Sequence, residues 1–316
     1  MRPLLHIGYQ KTGTNWLQRL FFSDPETGYH WIGKRPGSHP VRRFVRDGPF
    51  EFDAAAVREA LAPYVQEALD GGRVPVVSFE RLSGHPHSGG FDSRQIADRL
   101  HEVFPEGRVL VVAREQRSMV RSIYKGYVEN GGAARFKDFV DPPRSRAVRI
   151  PLFDARHFEY DRLIEYYRRL FGPENVLPLT LDQFATDGRA FVERIAAFAE
   201  RPVAPEVLDR LPYTRRENVR AVSALTIDVT RHLNLVGPRS ELNPSPFVRS
   251  RRLGKLAHWL QQADALNGKL TRRLVDRRED ELRRAVDTWA GERFVESNRR
   301  LQELVGVDLG AFGWRT

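Results

Sequence analysis

Apolar runs that suit buried strands alternate with amphipathic segments over the first two thirds of the chain. The apolar runs lie at residues 4–7, 74–79, 108–113 and 175–181. Segments with helical periodicity lie at residues 14–22, 54–69, 93–104, 117–129, 160–171 and 190–200. Because strands alternate with helices, this pattern predicts an α/β fold, a three-layer α/β/α sandwich around a mostly parallel central sheet.

The remainder of the chain has a different pattern. From residue 211 onward it is mostly helical, with a long amphipathic segment at 277–290. Residues 133–159 are rich in proline, arginine and aspartate, and residues 235–255 hold clusters of proline, serine and arginine. We predict a single domain over residues 1–316, with lid or insertion segments at 133–159 and 235–275.

Composition excludes several kinds of chemistry. The chain has no cysteine, so it forms no disulfide or thiolate metal site and has no cysteine nucleophile. No apolar run approaches the roughly 20 residues that cross a bilayer, and the first residues resemble a strand rather than a signal peptide, so we expect a cytoplasmic protein. The net charge of +10 favours anionic ligands.

A turn rich in glycine and hydroxyl side chains joins the first predicted strand to the first predicted helix. From residue 6 its sequence is HIGYQKTGTNWL. Gly8 and Gly13 allow close approach of a ligand to the backbone, and Thr12 and Thr14 offer hydroxyl donors to phosphate oxygens. The lysine lies inside the turn at Lys11, before the second glycine, which distinguishes this turn from a Walker A loop. The sequence therefore predicts a P-loop-like anion site at this turn.

The segment that begins at Lys11 resembles the 5′-phosphosulfate loop of the sulfotransferase superfamily. The family signature is Lys-Ser/Thr-Gly-Thr-Thr/Asn-Trp/Phe-Leu directly after the first strand, and residues 11–17 fit it at every position. The resemblance implies 3′-phosphoadenosine 5′-phosphosulfate (PAPS) as donor and 3′-phosphoadenosine 5′-phosphate (PAP) as product. It also implies that Lys11 contacts the phosphosulfate. The other donor-binding residues that it implies around the 5′-phosphate are Thr12, Gly13, Thr14, Asn15 and Trp16.

The same family requires an arginine at the end of a later core strand and a serine eight residues further on. The run at 108–113 is followed directly by Arg114, and Ser122 lies in the next predicted helix. The resemblance implies that both residues bind the 3′-phosphate of the donor, and a planar guanidinium suits that group.

A third family element, Arg-Lys-Gly in many cytosolic animal members, has only a partial counterpart. Residues 215–218 read RREN and lack the glycine. We expect Arg216 or Asn218 to approach the 3′-phosphate or the adenine, and a solvated arginine pair is the alternative.

Sulfuryl transfer is an in-line displacement at sulfur that needs positive charge at the bridging oxygen, an aligned acceptor and a base. Lys11 can supply the charge. We favour Glu80 as the base, because it follows the strand at 74–79 and the carboxyl ends of strands line the site in open α/β sheets. Bacterial and heparan N-sulfating relatives resemble this pattern, whereas cytosolic animal members use a histidine in a comparable region, which leaves His85 and His87 as alternatives. The histidines form no metal-ligand pattern, and we predict no metal.

Two other functions compete with sulfuryl transfer. A nucleotide-dependent kinase would need an acidic magnesium ligand, for which Asp182 is a weak candidate. A non-enzymatic polyanion or nucleic-acid binder would rely on the positive charge, but the chain has no nucleic-acid-binding motif, and we predict no nucleic-acid partner. The acceptor is expected to be a carbohydrate, a glycolipid or another small molecule, bound near the segments 133–159 and 235–275.

Overall fold

The central feature of the fold is one parallel sheet. The computed structural model describes residues 1–33, 39–143, 150–214, 222–264 and 266–316. Within these residues the sheet has five strands in the order β2-β3-β1-β4-β5, and every neighbouring pair is parallel. The strands are β1 (Leu4–His6), β2 (Tyr29–Ile32), β3 (Val74–Ser78), β4 (Arg108–Ala113) and β5 (Val176–Thr180).

Helices connect the strands and form the C-terminal part of the chain. Those that precede β4 are α1 (Thr14–Trp16), which continues as a π-helical segment (Leu17–Phe21), α2 (Arg43–Arg46), α3 (Ala54–Asp70) and α4 (Ser93–Val103). Those between β4 and β5 are α5 (Gln116–Glu129), α6 (Phe136–Val140) and α7 (Tyr160–Phe171). Those after β5 are α8 (Leu181–Thr186), α9 (Gly188–Phe198), α10 (Pro205–Arg210), α11 (Ala224–Asn234), α12 (Arg251–Ala263), α13 (Arg272–Ala290) and α14 (Val295–Val305).

Two apolar clusters lie on opposite faces of the sheet. Successive side chains of a strand point to opposite faces, so Leu4 belongs to one cluster and Leu5 to the other. Leu5 packs with side chains of α3, α4, α5 and α7, whereas Leu4 packs with Trp16, Phe191 and their neighbours in α1 and α9. Each fully buried aliphatic side chain contributes about 1.5–3 kcal/mol of burial free energy. Helices thus cover both faces of the sheet, and the predicted three-layer α/β/α architecture is confirmed.

The elements differ from the sequence prediction in three places. The edge strand β2 was not predicted, because its middle residues His30 and Trp31 are only half-buried and give no apolar run. The segment expected to be a loop at 133–159 contains α6, and the insertion expected at 235–275 contains the whole of α12 as a regular helix. The helix α8 begins directly after β5, where Thr180 and Gln183 form a capping box.

The strand order places a topological switch at β1. From β1 the chain moves to β2 and β3 on one side, then crosses to β4 and β5 on the other side. In open α/β sheets the connections leave a cleft at the carboxyl ends of the strands where the order reverses. The loop after β1 lies at that point. Among the described residues, no helix is long and apolar enough to cross a membrane.

Candidate active site

The loop that follows β1 is held in a sharply turned backbone conformation. Gly8, Lys11 and Gly13 all have positive φ, at 20°, 64° and 80°. Lys11 is the unusual member, because a side chain with a Cβ seldom adopts a left-handed conformation outside functional turns. The hydroxyl of Thr12 donates a 2.5 Å hydrogen bond to the carbonyl of Tyr9, which ties the two arms of the loop together. The Lys11 side chain remains exposed at the tip.

Two buried polar atoms face the same small space inside this loop. Thr14 Oγ1 and His6 Nε2 are buried, and neither forms a hydrogen bond within the described residues. A Cβ added to Gly8 would lie 2.9 Å from Thr14 Oγ1 and 3.0 Å from His6 Nε2. Real Cβ atoms essentially never come that close to another heavy atom, so only glycine fits here, and the two unpartnered atoms lie together against the Gly8 backbone.

The remaining contacts of His6 favour a donor at its Nε2 atom. Burial lowers the pKa of His6 to about 3, so the ring is neutral. Its Nδ1 atom lies 2.7 Å from the hydroxyl of Ser78, and that hydroxyl also accepts a 2.9 Å hydrogen bond from the Gln18 amide. We assign the Ser78 proton to the hydrogen bond with Nδ1, which places the imidazole proton on Nε2. Sequence reasoning missed His6, although a histidine inside an apolar strand was a visible signal.

Arg114 connects the end of β4 to the loop after β1. Its Nη1 atom donates a 3.0 Å hydrogen bond to the Lys11 carbonyl, and its Nε atom donates a 2.8 Å bond to the hydroxyl of Ser118. Burial lowers the pKa of the Arg114 guanidinium, which is half-buried without a carboxylate bonded to it in the described residues. Ser122 is half-buried on α5, one turn beyond Ser118. The structure thus brings Arg114 into contact with the loop, and Ser122 lies on the helix that follows Arg114.

The side chains of the loop differ in whether they are available to bind a ligand. Trp16 is buried, its indole N–H donates to the carbonyl of Pro212 at 3.0 Å, and its ring packs 4.7 Å from the ring of Phe184. Only the backbone of Trp16 can therefore face a ligand. The Thr12 hydroxyl is already engaged with the loop, whereas Asn15 is half-buried at the start of α1, where helix N–H groups lack intrahelical partners.

A cavity of about 520 Å³ opens at the carboxyl end of β3. Its lining includes Gln10 of the loop together with Glu80 and His85. Burial raises the pKa of Glu80, and the nearby charge of Lys11 partly opposes that rise. A larger cavity of about 1000 Å³ is lined by arginines, by aromatic side chains that include Tyr9 of the loop, and by residues of the segment 88–93. Of the two cavities, the smaller one is lined by the carboxylate whose pKa the charge of Lys11 lowers.

The two candidate histidines have different surroundings. His87 Nε2 lies 3.4 Å from the carbonyl of Ile123, its ring packs edge-on against Tyr127, and burial lowers its pKa to about 4. His85 lines the cavity, its Nδ1 atom accepts a 3.2 Å hydrogen bond from the backbone N–H of His87, and burial also lowers its pKa. The side chain of His87 is therefore packed against α5. Of the two histidines, only His85 lines the cavity.

Sequence reasoning also missed Glu129, at the end of α5. Burial raises its pKa, and the charges of Lys11 and Lys125 oppose that rise. Glu129 follows Ser122 by seven residues, so both lie on the same face of the helix, two turns apart. The Nζ atom of Lys125 already forms an ion pair with Oε1 of Glu279 at 2.6 Å. Of the two lysines, Lys11 is therefore the one that remains available to Glu129. Two half-buried carboxylates, one just after β3 and one on α5, thus have pKa values that the charge of Lys11 lowers.

Three further residues named from the sequence are Arg216, Asn218 and Asp182. Arg216 and Asn218 lie outside the described residues. The carboxylate of Asp182 accepts a 2.9 Å hydrogen bond from the indole of Trp314, so it is already engaged. Within the described ranges, no group of three or more histidine, aspartate or glutamate side chains is placed to hold a metal ion.

Comparison with known proteins identifies the family of this chain. The sulfotransferase domain model matches residues 2–229, whereas no curated protein sequence matches significantly. Similar solved structures include a sulfotransferase from Alicyclobacillus acidocaldarius (17% identity, TM-score 0.48, 82% of this chain and 96% of that chain). They also include a sulfotransferase domain from the curacin biosynthetic pathway (11%, 0.41, 68% and 78%) and mouse sulfotransferase SULT7A1 complexed with PAP (12%, 0.40, 88% and 89%).

The matched residues include the loop after β1, Glu80 and the Arg114–Ser122 pair. The kinase and the non-enzymatic binder, which competed on sequence grounds, are thereby set aside. The chain belongs to the sulfotransferase family and is an enzyme of the sulfotransferase class.

Proposed function

We propose that the protein transfers the sulfuryl group of PAPS to a hydroxyl or amine of an acceptor that enters the cavity beside Glu80. The acceptor is a carbohydrate, a glycolipid or another small molecule. The 5′-phosphosulfate would occupy the loop after β1, and the 3′-phosphate would bind Arg114 and Ser122. No metal is required, because positive charge and hydrogen-bond donors already surround the phosphates.

The observation that carries this proposal is the pair of unsatisfied atoms inside the loop. Buried polar atoms are almost always hydrogen-bonded, and here a hydroxyl and an imidazole nitrogen without partners in the described residues lie next to each other, which supports a polar ligand at this point. Thr14 Oγ1 can donate a hydrogen bond to an anionic oxygen, as can His6 Nε2 in the tautomer assigned above, and Gly8 keeps the adjacent backbone free of a Cβ that would crowd both atoms. The residues present therefore fit a phosphate group.

Lys11 and Glu80 would divide the chemistry of the transfer. An acceptor oxygen attacks sulfur, the bond from sulfur to the bridging oxygen breaks, and the electron pair stays on the departing 5′-phosphate of PAP. Lys11 stabilises the charge that develops on the bridging oxygen. Glu80 takes the acceptor proton, and its raised pKa brings it closer to neutral pH, where a general base is most effective. The products are a sulfate ester, or a sulfamate from an amine, and PAP.

Calorimetry with PAP in the absence of magnesium tests the donor site. We expect the wild type to bind PAP and Thr14→Val to bind it about tenfold or more weakly, because a hydrogen bond to a charged group contributes about 1.5–3 kcal/mol. Thr186→Val, which removes an exposed hydroxyl at the end of α8, serves as the matched control and should bind like the wild type. A folded wild type that ignores PAP and binds ATP only with magnesium would refute the proposal.

A further inference from the structure

Exposed apolar side chains concentrate in one part of this protein. Six of the ten large apolar side chains that are exposed in the described residues lie between 247 and 274. Phe247 is 85% exposed, Trp259 58% and Leu274 54%. Isolated exposed apolar residues are ordinary, but a concentration of large ones marks an interaction surface.

Two of these side chains, Leu256 and Trp259, lie on the helix α12, and Phe247 and Val248 lie just before it. Ala257 and Leu260 are buried on its inner face. At its start the hydroxyl of Ser250 accepts a hydrogen bond from the Leu253 N–H at 3.3 Å, and the Ser250 N–H donates to the Val236 carbonyl. The helix is therefore anchored at one end and along one side, and its outer face presents apolar side chains to solvent in a defined arrangement.

Basic side chains lie beside these apolar ones. Arg249, Arg251, Arg252 and Lys255 are all exposed, and none of them forms an ion pair within the described ranges. We name the surface formed by these four residues with Phe247, Leu256 and Trp259 the α12 surface. Its charge opposes a second copy of the same chain, because a two-fold interface would bring like charges together. Charge and apolar character together match a bilayer that carries anionic headgroups.

We propose that the α12 surface docks the enzyme on an anionic lipid bilayer. Trp259, Phe247 and Leu256 would enter the boundary between headgroups and acyl chains. The arginines and Lys255 would remain at the level of the lipid phosphates, with their aliphatic stems along the apolar surface. This surface lies outside the donor site, so docking does not depend on the identity of the donor.

Contacts between the segment before α12 and elements of the active site link membrane docking to the reaction. The connection from α11 to α12 packs on the end of α5, where a Cβ on Gly131 would contact Ser240 and where Asn234 donates to the carbonyls of Val128 and Gly132. That end of α5 carries Glu129. The charge of Glu241, in the same connection, also acts on His85 at the cavity. Docking would therefore hold the acceptor side of the site near the membrane and favour acceptors with a lipid anchor.

Flotation with lipid vesicles tests this inference. The full-length protein is mixed with vesicles of phosphatidylcholine alone or of phosphatidylcholine and phosphatidylglycerol in about a 2:1 ratio. We expect binding to the anionic vesicles only, weakened about 30-fold by the double variant Arg251→Gln/Arg252→Gln and about tenfold by Trp259→Ser. The matched controls are Arg194→Gln/Arg299→Gln and Phe50→Ser, which change exposed residues elsewhere and should bind like the wild type.

Four outcomes overturn the inference. They are absence of binding to anionic vesicles, equal binding to neutral vesicles, equal loss in the control variants, and a dimer of the wild type that Trp259→Ser dissociates. PAP calorimetry and circular dichroism on the same variants show that each is folded and whether it keeps its donor site. Loss of vesicle binding with unchanged PAP binding supports the α12 surface.

Discussion

Arg114→Gln tests whether this arginine recognises the 3′-phosphate or only holds the loop after β1. In the structure its guanidinium is shared between the Lys11 carbonyl and the Ser118 hydroxyl. Both roles are therefore compatible with its position. The variant keeps a polar side chain of moderate length and removes the charge.

The expected loss of PAP affinity follows from the hydrogen bonds that Arg114 would form with the phosphate and from the one that it would give up. Two charge-assisted hydrogen bonds to a phosphate contribute about 3–6 kcal/mol together, and giving up the neutral bond to the Lys11 carbonyl costs about 1 kcal/mol. A net loss of about 3 kcal/mol corresponds to roughly 100-fold weaker binding of PAP.

Calorimetry with two ligands separates the two roles. PAP carries both phosphates, whereas adenosine 5′-monophosphate lacks the 3′-phosphate. Arg114→Gln should weaken PAP by roughly 100-fold and leave the monophosphate within about threefold of the wild type. The control is Arg121→Gln, which removes a nearby charge on α5 and should weaken PAP only about twofold, because solvent and salt screen it. Equal weakening of both ligands by Arg114→Gln would refute recognition of the 3′-phosphate.

Three further variants test the base, the loop and the C-terminal contact. Glu80→Gln should lower the transfer rate about 10²–10⁴-fold and abolish the rise of the rate with pH. Because its folded pKa is raised, ionised Glu80 costs stability above its ordinary pKa, so the variant should melt higher at pH 7 and like the wild type near pH 4. Gly8→Ala should lose PAP binding more than tenfold and about 1–3 kcal/mol of stability, because the new Cβ would contact the buried hydroxyl beside it. The control Gly72→Ala, also at positive φ but in open space, should keep PAP binding. Trp314→Phe should lower the melting temperature by removing a bond of about 1.5–3 kcal/mol to Asp182, with a smaller effect at low pH, where this carboxylate is protonated.

The parts of the site that sequence could predict are local in the chain. A strand, a glycine-rich turn and a helix follow one another without interruption at residues 4–22, so the loop was visible from composition and spacing. Arg114 and Ser122 are also close in sequence, because Arg114 directly follows β4 and Ser122 lies in α5, the next helix. The three-layer fold was predictable for the related reason that strands and helices alternate along the chain.

The parts that sequence could not predict depend on contacts between distant segments. The partner of His6 is Ser78, and the carbonyl that binds Arg114 belongs to Lys11, more than a hundred residues earlier. The proximity of Glu129 to Lys11 depends on how α5 packs across the sheet. A sequence signature also does not tell whether a residue contacts a ligand through its side chain or through its backbone. The inward orientation of the Trp16 indole was therefore visible only in the structure.

The strand order has a consequence for how the enzyme could diverge. β1 has β3 on one side, with Glu80 at its end, and β4 on the other side, with Arg114 at its end. Under the proposed function, acceptor and donor are recognised by separate, interchangeable modules on either side of a common loop. Replacing the segment that follows β3 by that of another family member would then redirect the enzyme to a new acceptor while its donor preference is inherited unchanged.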